Sequence, residues 1–187
     1  MSLPPPEPAA DWRPTIHEAA TRIAADVRRT PLWRLPGPAL GLEVAEVWLK
    51  LEQLQLSGSF KARGMFNRLR ALPVPAAGVV VASGGNAGIA VATAARALGV
   101  PCEVFLPEVS TPAKRAALAA LGARVSVQGA VYVEALAGCL ARQRETGGVG
   151  LGLHLARLVL RAHGSSLRFR NAEPGLEASF ELPARAG

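Results

Sequence analysis

The feature that most constrains this chain is a regular alternation of short apolar runs and helical segments in its middle third. The apolar runs are 4–5 residues long, and each helical segment ends at a glycine or begins at a Thr-Pro pair. Continuous apolar strands separated by helices are typical of a parallel sheet covered on both faces. We therefore predict an α/β fold with strands at Gly78–Ala82, Cys102–Leu106 and Ala123–Val127, and with helices at Ala87–Leu98, Thr111–Leu121 and Val131–Glu145.

Simpler sequence signals predict the helices and strands before Gly78. Thr15 is placed to cap a helix over Ile16–Arg29, which Thr30-Pro31 ends. A Val-, Leu- and Trp-rich segment predicts a strand over Leu42–Leu51. Ser59, after a Ser-Gly-Ser turn, is predicted to cap a helix that runs to Leu72.

The character of the chain changes after Thr146. A glycine-rich segment, Gly147–Leu153, is predicted to be a loop, and a helix over Leu153–Ala162 follows it. Two further strands, Leu167–Asn171 and Glu177–Leu182, are predicted to form a hairpin. We therefore divide the chain into residues 1–146 and a helix-plus-hairpin tail, 147–187.

Composition excludes several classes of protein. The net charge is +7, but no basic run is interleaved with aromatic residues, so we expect no nucleic-acid partner. The most apolar stretch, 78–100, is broken by glycines and polar residues, so we expect no membrane span. Cys102 and Cys139 have no metal-ligand or disulfide spacing and are predicted to be small core residues, with no metal bound. We expect a cytoplasmic protein.

Lys61 is the first candidate for chemistry. Only three lysines occur among 21 basic residues, and this one follows the turn Ser57-Gly58-Ser59 at a predicted helix start. Backbone N–H groups and the helix dipole there disfavour an additional positive charge. A neutral amine is what a carbonyl cofactor needs in order to form an imine. The simpler alternative is a solvated surface lysine.

The second candidate is the segment Ser83-Gly84-Gly85-Asn86-Ala87-Gly88. It lies between a predicted parallel strand and the helix that follows, where ligands of open α/β sheets collect. Glycines allow the backbone to approach a carboxylate or a phosphate, and the helix start favours an anion. Alone, this segment is more typical of a structural turn than of an anion site.

Together the two segments resemble sequence motifs of one enzyme family. The run from Lys50 to Gly64, which contains Ser59-Phe60-Lys61, resembles the cofactor-lysine motif of the serine/threonine dehydratases, which belong to the fold-type-II pyridoxal-phosphate enzymes. Thr30-Pro31-Leu32 and the segment Ser83–Gly88 resemble further motifs of that family, in the same order. The resemblance covers residues 12–146.

This resemblance implies a pyridoxal 5'-phosphate cofactor and a small amino-acid substrate. Lys61 would carry the cofactor as a Schiff base and would act as the base at the substrate α-carbon. Phe60 would pack beside the cofactor ring, and Asn86 would bind its phenolic oxygen. The substrate carboxylate would lie against Ser83, Gly84, Gly85, Asn86 and Ala87. The implied reaction on serine or threonine is α-proton removal, loss of the β-hydroxyl and release of a 2-oxo acid and ammonia.

The tail resembles a different family. Residues 147–183 resemble the end of a histidine-kinase ATPase domain, and Gly148, Gly150 and Gly152 would be a remnant of its nucleotide loop. No phosphate loop of the dehydratase type is recognisable. We therefore expect a truncated dehydratase with weak or no turnover.

Two other functions stay open. One is a non-catalytic remnant or interaction protein that forms homo-oligomers through an exposed apolar face. The other is an ATP-binding fragment of a histidine kinase, based on the tail.

Overall fold

The computed structural model describes residues 11–150, 168–171 and 176–179. Its helices are α1 (Arg13–Arg22), α2 (Lys61–Ala71), α3 (Asn86–Leu98), α4 (Pro112–Ala120) and α5 (Tyr132–Thr146). Its strands are β1 (Leu32–Pro36), β2 (Glu46–Lys50), β3 (Val79–Ala82), β4 (Cys102–Leu106), β5 (Arg124–Val127), β6 (Val149–Gly150), β7 (Arg168–Asn171) and β8 (Leu176–Ser179).

Four parallel strands form the main sheet, in the order β5-β4-β3-β6. Val79 pairs with Cys102 on one side and with Val149 on the other, so β3 lies inside the sheet. All four residues of β3 are buried, as expected for a strand with helices on both faces. The predicted parallel α/β sheet is confirmed.

The two faces of this sheet pack against different helices. Val79 and Val81 join a core that includes Phe66 of α2 and Val91 of α3. Val80, Ala82 and Phe105 join a second core with Ala135 and Cys139 of α5. Alternate strand residues therefore point to opposite faces, and each face finds an apolar helix.

The predicted elements between residues 78 and 146 agree with the structure to within a residue or two. Thr111 caps α4 through its hydroxyl, which accepts a hydrogen bond from the Lys114 N–H at 3.4 Å. Both cysteines are free thiols in the sheet-and-helix core, and burial raises the pKa of each to about 11. They are therefore poor nucleophiles at neutral pH.

The residues before α2 differ from the prediction. The first helix begins at Arg13 and ends at Arg22, so Thr15 lies inside it rather than at its cap. The predicted strand Leu42–Leu51 is shorter, and it pairs antiparallel with β1, a strand that was not predicted from the sequence. Pro31 directly precedes β1 and Pro36 is its last residue, and such prolines suit an edge position.

Two further corrections concern Ser59 and the glycine-rich segment. Phe60, not Ser59, precedes α2, and the Ser59 side chain makes no capping hydrogen bond. Within the predicted loop Gly147–Leu153, Val149–Gly150 forms a short strand on β3. The predicted hairpin is confirmed by the antiparallel pairing of β7 with β8. The predicted helix Leu153–Ala162 lies outside the described residues.

Within the described ranges, none of the helices combines the length and the apolar character that crossing a membrane requires. The same ranges contain no group of three His, Cys, Asp or Glu side chains placed to hold a metal ion.

Candidate active site at the carboxyl edge of the sheet

The chain reverses its direction of travel across the sheet at β3. From β3 it proceeds through β4 to β5, and it then returns past β4 to place β6 on the opposite side of β3. The helix that follows β3 and the helix that precedes β6 cover opposite faces. Such a switch point opens a crevice at the carboxyl ends of the strands, which is where open α/β sheets bind ligands. Ser83, Gly84 and Gly85 lie there.

The start of α3 presents free backbone donors at this edge. Gly85 precedes the helix, and no side chain of the described residues caps it. The Ser83 hydroxyl accepts a weak hydrogen bond of 3.4 Å from the Gly85 N–H. Asn86, the first helical residue, is exposed. An uncapped helix start with an adjacent amide side chain is suited to an anion.

Gly88 fixes the shape of this turn. A Cβ atom at residue 88 would lie 1.8 Å from the carbonyl oxygen of Ser83, so only glycine permits the approach. At Gly85, by contrast, a Cβ would meet nothing within 4 Å. The turn is therefore tight on its helix side and open on the side where a ligand would bind.

Lys61 is the first residue of α2, and its side chain is half-buried. Phe60, directly before it, is 62% exposed, so this aromatic ring is not part of the core. α2 and α3 pack against each other on one face of the sheet, and the turn Leu56–Gly58 also contacts α3. The structure thus places the lysine-bearing helix beside the helix that begins at Asn86.

The turn before Lys61 is strained, and its hydrogen-bonding groups are only partly paired within the described residues. Ser57 has φ 66°, a left-handed conformation that is costly for a residue with a side chain. The Ser57 and Ser59 hydroxyls are buried without a hydrogen-bond partner in the described part of the chain. A buried unpaired hydroxyl costs about 1–3 kcal/mol. Such groups concentrate where a bound polar molecule completes the structure.

Gln55 anchors this turn to the preceding segment. Its side-chain oxygen accepts hydrogen bonds of 2.9 Å from the Arg28 N–H and from the Leu56 N–H. Its amide nitrogen donates to the Arg28 carbonyl at 2.8 Å. Gln55 is only 3% exposed, so this clamp is protected from water. This clamp was not predicted, because no local pattern of the sequence links residue 55 to residue 28.

The glycines assigned to a nucleotide loop occupy a different environment. Gly148 is buried, and its N–H donates to the Thr146 hydroxyl at 3.3 Å. Gly150 is part of β6, where a Cβ would lie 2.4 Å from the Gln143 side-chain oxygen. Gly152 lies outside the described residues. Val149–Gly150 is therefore a strand of the main sheet, and the nucleotide role stays a prediction.

An open apolar groove of about 670 Å³ lies between α1 and α2. Its apolar lining includes Ile16, Ile23 and Val27, with Arg28 and Arg63 among the polar groups. Neither Lys61 nor the segment Ser83–Ala87 lines it. The groove is thus distinct from the candidate site at the sheet edge.

Comparisons with known proteins agree with this geometry. The family model described as "Pyridoxal-phosphate dependent enzyme" matches residues 23–154. The chain is 36% identical over 172 residues to the L-threonine ammonia-lyase of Geobacter sulfurreducens, a match that covers 90% of this chain and 40% of that enzyme. It is also similar to the solved threonine deaminase from T.th., with a TM-score of 0.67, 36% identity, and coverage of 80% of this chain and 47% of that one.

Maize serine racemase is a further structural relative, with a TM-score of 0.67, 32% identity, and coverage of 76% of this chain and 44% of that one. In each of these comparisons the chain spans less than half the length of its relative. The family match nevertheless includes Lys61, the turn at Ser83 and the whole four-stranded sheet. The chain therefore belongs to the family of pyridoxal-phosphate dependent enzymes.

Proposed function

We propose that this chain carries the lysine-bearing part of a pyridoxal-phosphate-dependent serine/threonine dehydratase. The observation that carries the proposal is the packing of α2, which begins at Lys61, against α3, which begins at the uncapped Ser83–Asn86 turn. An amine and an anion-binding turn on two neighbouring helices supply the two attachments that an amino-acid substrate and an aldehyde cofactor need.

Lys61 would hold the cofactor through its side-chain amine and, once released, would move the proton at the substrate α-carbon. The exposed ring of Phe60 would pack against a planar group beside that amine. The exposed amide of Asn86 would donate to a phenolic oxygen. The backbone N–H groups between Ser83 and Ala87 would orient the substrate carboxylate.

Two buried hydroxyls support the presence of a bound polar group. The Ser57 and Ser59 hydroxyls have no partner among the described residues, and both lie within four residues of Lys61. When bound, pyridoxal phosphate supplies an electron sink for the carbon that loses its proton. On serine or threonine, loss of the α-proton and of the β-hydroxyl, followed by hydrolysis, yields a 2-oxo acid and ammonia.

Cofactor capture is the first test. Purified protein is incubated with pyridoxal phosphate, dialysed, and scanned for a visible absorbance band; borohydride reduction then fixes the adduct for peptide mass spectrometry. We expect the band in the wild type and in Lys114→Arg, with the added mass on Lys61, and no band in Lys61→Ala. Equal spectra for the wild type and Lys61→Ala would refute the proposal.

Turnover is the second test. We expect weak or no ammonia release from serine or threonine by the 187-residue chain, because its sequence has no recognisable phosphate loop of the dehydratase type. Each charge-assisted hydrogen bond that a cofactor lacks costs about 1.5–3 kcal/mol of affinity. Robust ammonia release would contradict this expectation. Formation of D-serine without ammonia would assign the racemase reaction instead.

A second function follows from the exposed apolar residues before Lys61. Leu32, Trp33 and Trp48 of the β1–β2 ribbon are each more than half exposed. We propose that this ribbon mediates self-association of the protein, which we place in the cytoplasm. Size-exclusion chromatography with light scattering tests this; a monomer at micromolar concentration would contradict it.

A further inference from the structure

Two ion pairs of the same geometry join α2 to the residues that precede it. In the first turn of α2, Arg63 donates from Nε and Nη2 to the two oxygens of Glu52, at 2.9 and 2.7 Å. In the last turn, Arg70 donates from Nε and Nη2 to the two oxygens of Asp26, at 2.9 and 2.7 Å. Each is a bidentate arginine–carboxylate pair, the strongest form of this contact.

The two pairs differ in what surrounds them. The Thr30 hydroxyl donates to Glu52 Oε1 at 2.5 Å, and Thr30 is only 4% exposed. Arg63 also donates to the Arg28 carbonyl at 3.2 Å. The guanidinium of Arg70 makes no further hydrogen bond within the described residues. The Glu52–Arg63 pair is therefore the centre of a network, whereas the Asp26–Arg70 pair is isolated.

The Glu52–Arg63 pair also spans the strained turn that leads to Lys61. Ser57 and Gly58 both have positive φ, and the serine hydroxyls of this turn are not satisfied locally. The Gly58 N–H donates to the Gln55 carbonyl at 2.9 Å, and contacts at the two ends of the turn add to this single bond across the strained residues. The Gln55 side chain joins the start of the turn to Arg28. The Glu52–Arg63 ion pair joins the residues before the turn to the first helical turn of α2.

We propose that Glu52, Arg63 and Thr30 are positioning residues that fix the Lys61 amine, whereas Asp26 and Arg70 hold the other end of the same helix without affecting it. This inference rests on the proposed function of Lys61 as the reactive amine. The reactivity of the Lys61 amine then depends on the Glu52–Arg63 ion pair, which takes no part in the reaction itself. A small displacement of a reacting group is enough to reduce a rate by orders of magnitude.

Glu52→Gln and Asp26→Asn form a matched pair of variants, since each removes one carboxylate charge and keeps the shape of the side chain. The first measurement uses the full chain without cofactor. Limiting acetic anhydride labels its amines, and mass spectrometry gives the labelling of Lys61 relative to the exposed Lys114. We expect Glu52→Gln to change this ratio at least about threefold, and Asp26→Asn to leave it within about 1.5-fold.

The second measurement is the rate at which pyridoxal phosphate is captured on Lys61, read after borohydride reduction. We expect Glu52→Gln to slow capture at least about tenfold while Asp26→Asn matches the wild type. Thr30→Val removes only the hydroxyl contact and is expected to act in the same direction with a smaller effect, which keeps the test available should Glu52→Gln fail to fold.

Equal effects of Glu52→Gln and Asp26→Asn on the labelling ratio, or no effect of either, would overturn the inference. Failure of the wild type to capture pyridoxal phosphate would instead refute the proposed function, and the labelling ratio in the absence of cofactor would still decide whether Glu52 positions Lys61.

Discussion

Residues 11–60 bury far fewer apolar side chains than residues 61–150 do. Among the described residues, Ile23 is the only buried hydrophobic residue before Lys61, whereas twenty lie after it. Sixteen large hydrophobic residues in the described part of the chain are exposed, and eleven of them lie before Lys61. The later region thus holds most of a two-sided core, while the earlier region adds Ile23 to it and is otherwise held by ion pairs and by the Gln55 clamp. Lys61 stands at the boundary between them.

The largest expected effect comes from truncating the core of the later region. Phe66 is fully buried in α2, so Phe66→Ala removes a ring and leaves a cavity. We expect a loss of about 3–5 kcal/mol in the free energy of unfolding, measured by urea titration with circular dichroism. A loss below about 1 kcal/mol would show that this core is not cooperatively packed.

A smaller effect is expected where the later region meets the candidate site. Gly88→Ala forces a methyl group onto the Ser83 carbonyl, so we expect a loss of about 1–3 kcal/mol in the free energy of unfolding and a weaker capture of pyridoxal phosphate. Gly85→Ala is the control, since a Cβ there meets open space. Equal stability losses for the two variants would contradict the close approach at Gly88.

The ion pairs of the earlier region predict a dependence on acid pH. Hydrogen bonds from Arg63 hold the pKa of Glu52 below its ordinary value, and Arg70 does the same for the pKa of Asp26. A lowered pKa in the folded state adds stability above the ordinary pKa, and this stability is lost as the pH falls through the folded-state value.

The free energy of unfolding of the wild type should therefore fall more steeply between about pH 5 and about pH 3 than that of the double variant Glu52→Gln/Asp26→Asn. The effect should be modest, because the arginine partners are partly exposed. Parallel pH profiles for the two proteins would show that neither pair stabilises the fold.

The smallest effect is expected for the exposed ribbon. Trp48 is 56% exposed, and the Arg34 guanidinium lies over its ring, 5.8 Å from the centroid, in a cation–π contact. Trp48→Ala should cost no more than about 1 kcal/mol in the free energy of unfolding, measured by the same urea titration. It should nevertheless reduce self-association in light scattering. A loss above about 2 kcal/mol would place the ribbon within the cooperative core.

The same contrast explains what the sequence could predict. β3, β4 and α3 to α5 were predicted because apolar runs, glycines and the Thr111-Pro112 start agree with one another at each position. β1 was missed because Pro31 and Pro36, which are unusual in strands, obscure the strand signal of the residues between them. Val149–Gly150 carries no strand signal of its own, and only its pairing with β3 makes it a strand.

Some residues of the candidate site were likewise predicted from the sequence, and others were not. Lys61, Asn86 and the Ser83–Gly85 turn were predicted from local motifs, and the structure places their two helices side by side. The Glu52–Arg63 pair was not predicted, although both residues lie within the motif that carries the resemblance. A side chain that acts through a partner eleven residues away leaves no periodic signal, because the turn between the two is irregular.

The position of β3 in the sheet also bears on the order in which the protein assembles. Val79 pairs with Cys102, one helix further along the chain, but its partner on the other side is Val149, which comes only after two more helices and a strand. Loop closure favours the nearer pairing, so during synthesis β3 and β4 are expected to join first. The side of the crevice beside Ser83 that faces β6 would then form only after β6 has emerged and paired with β3.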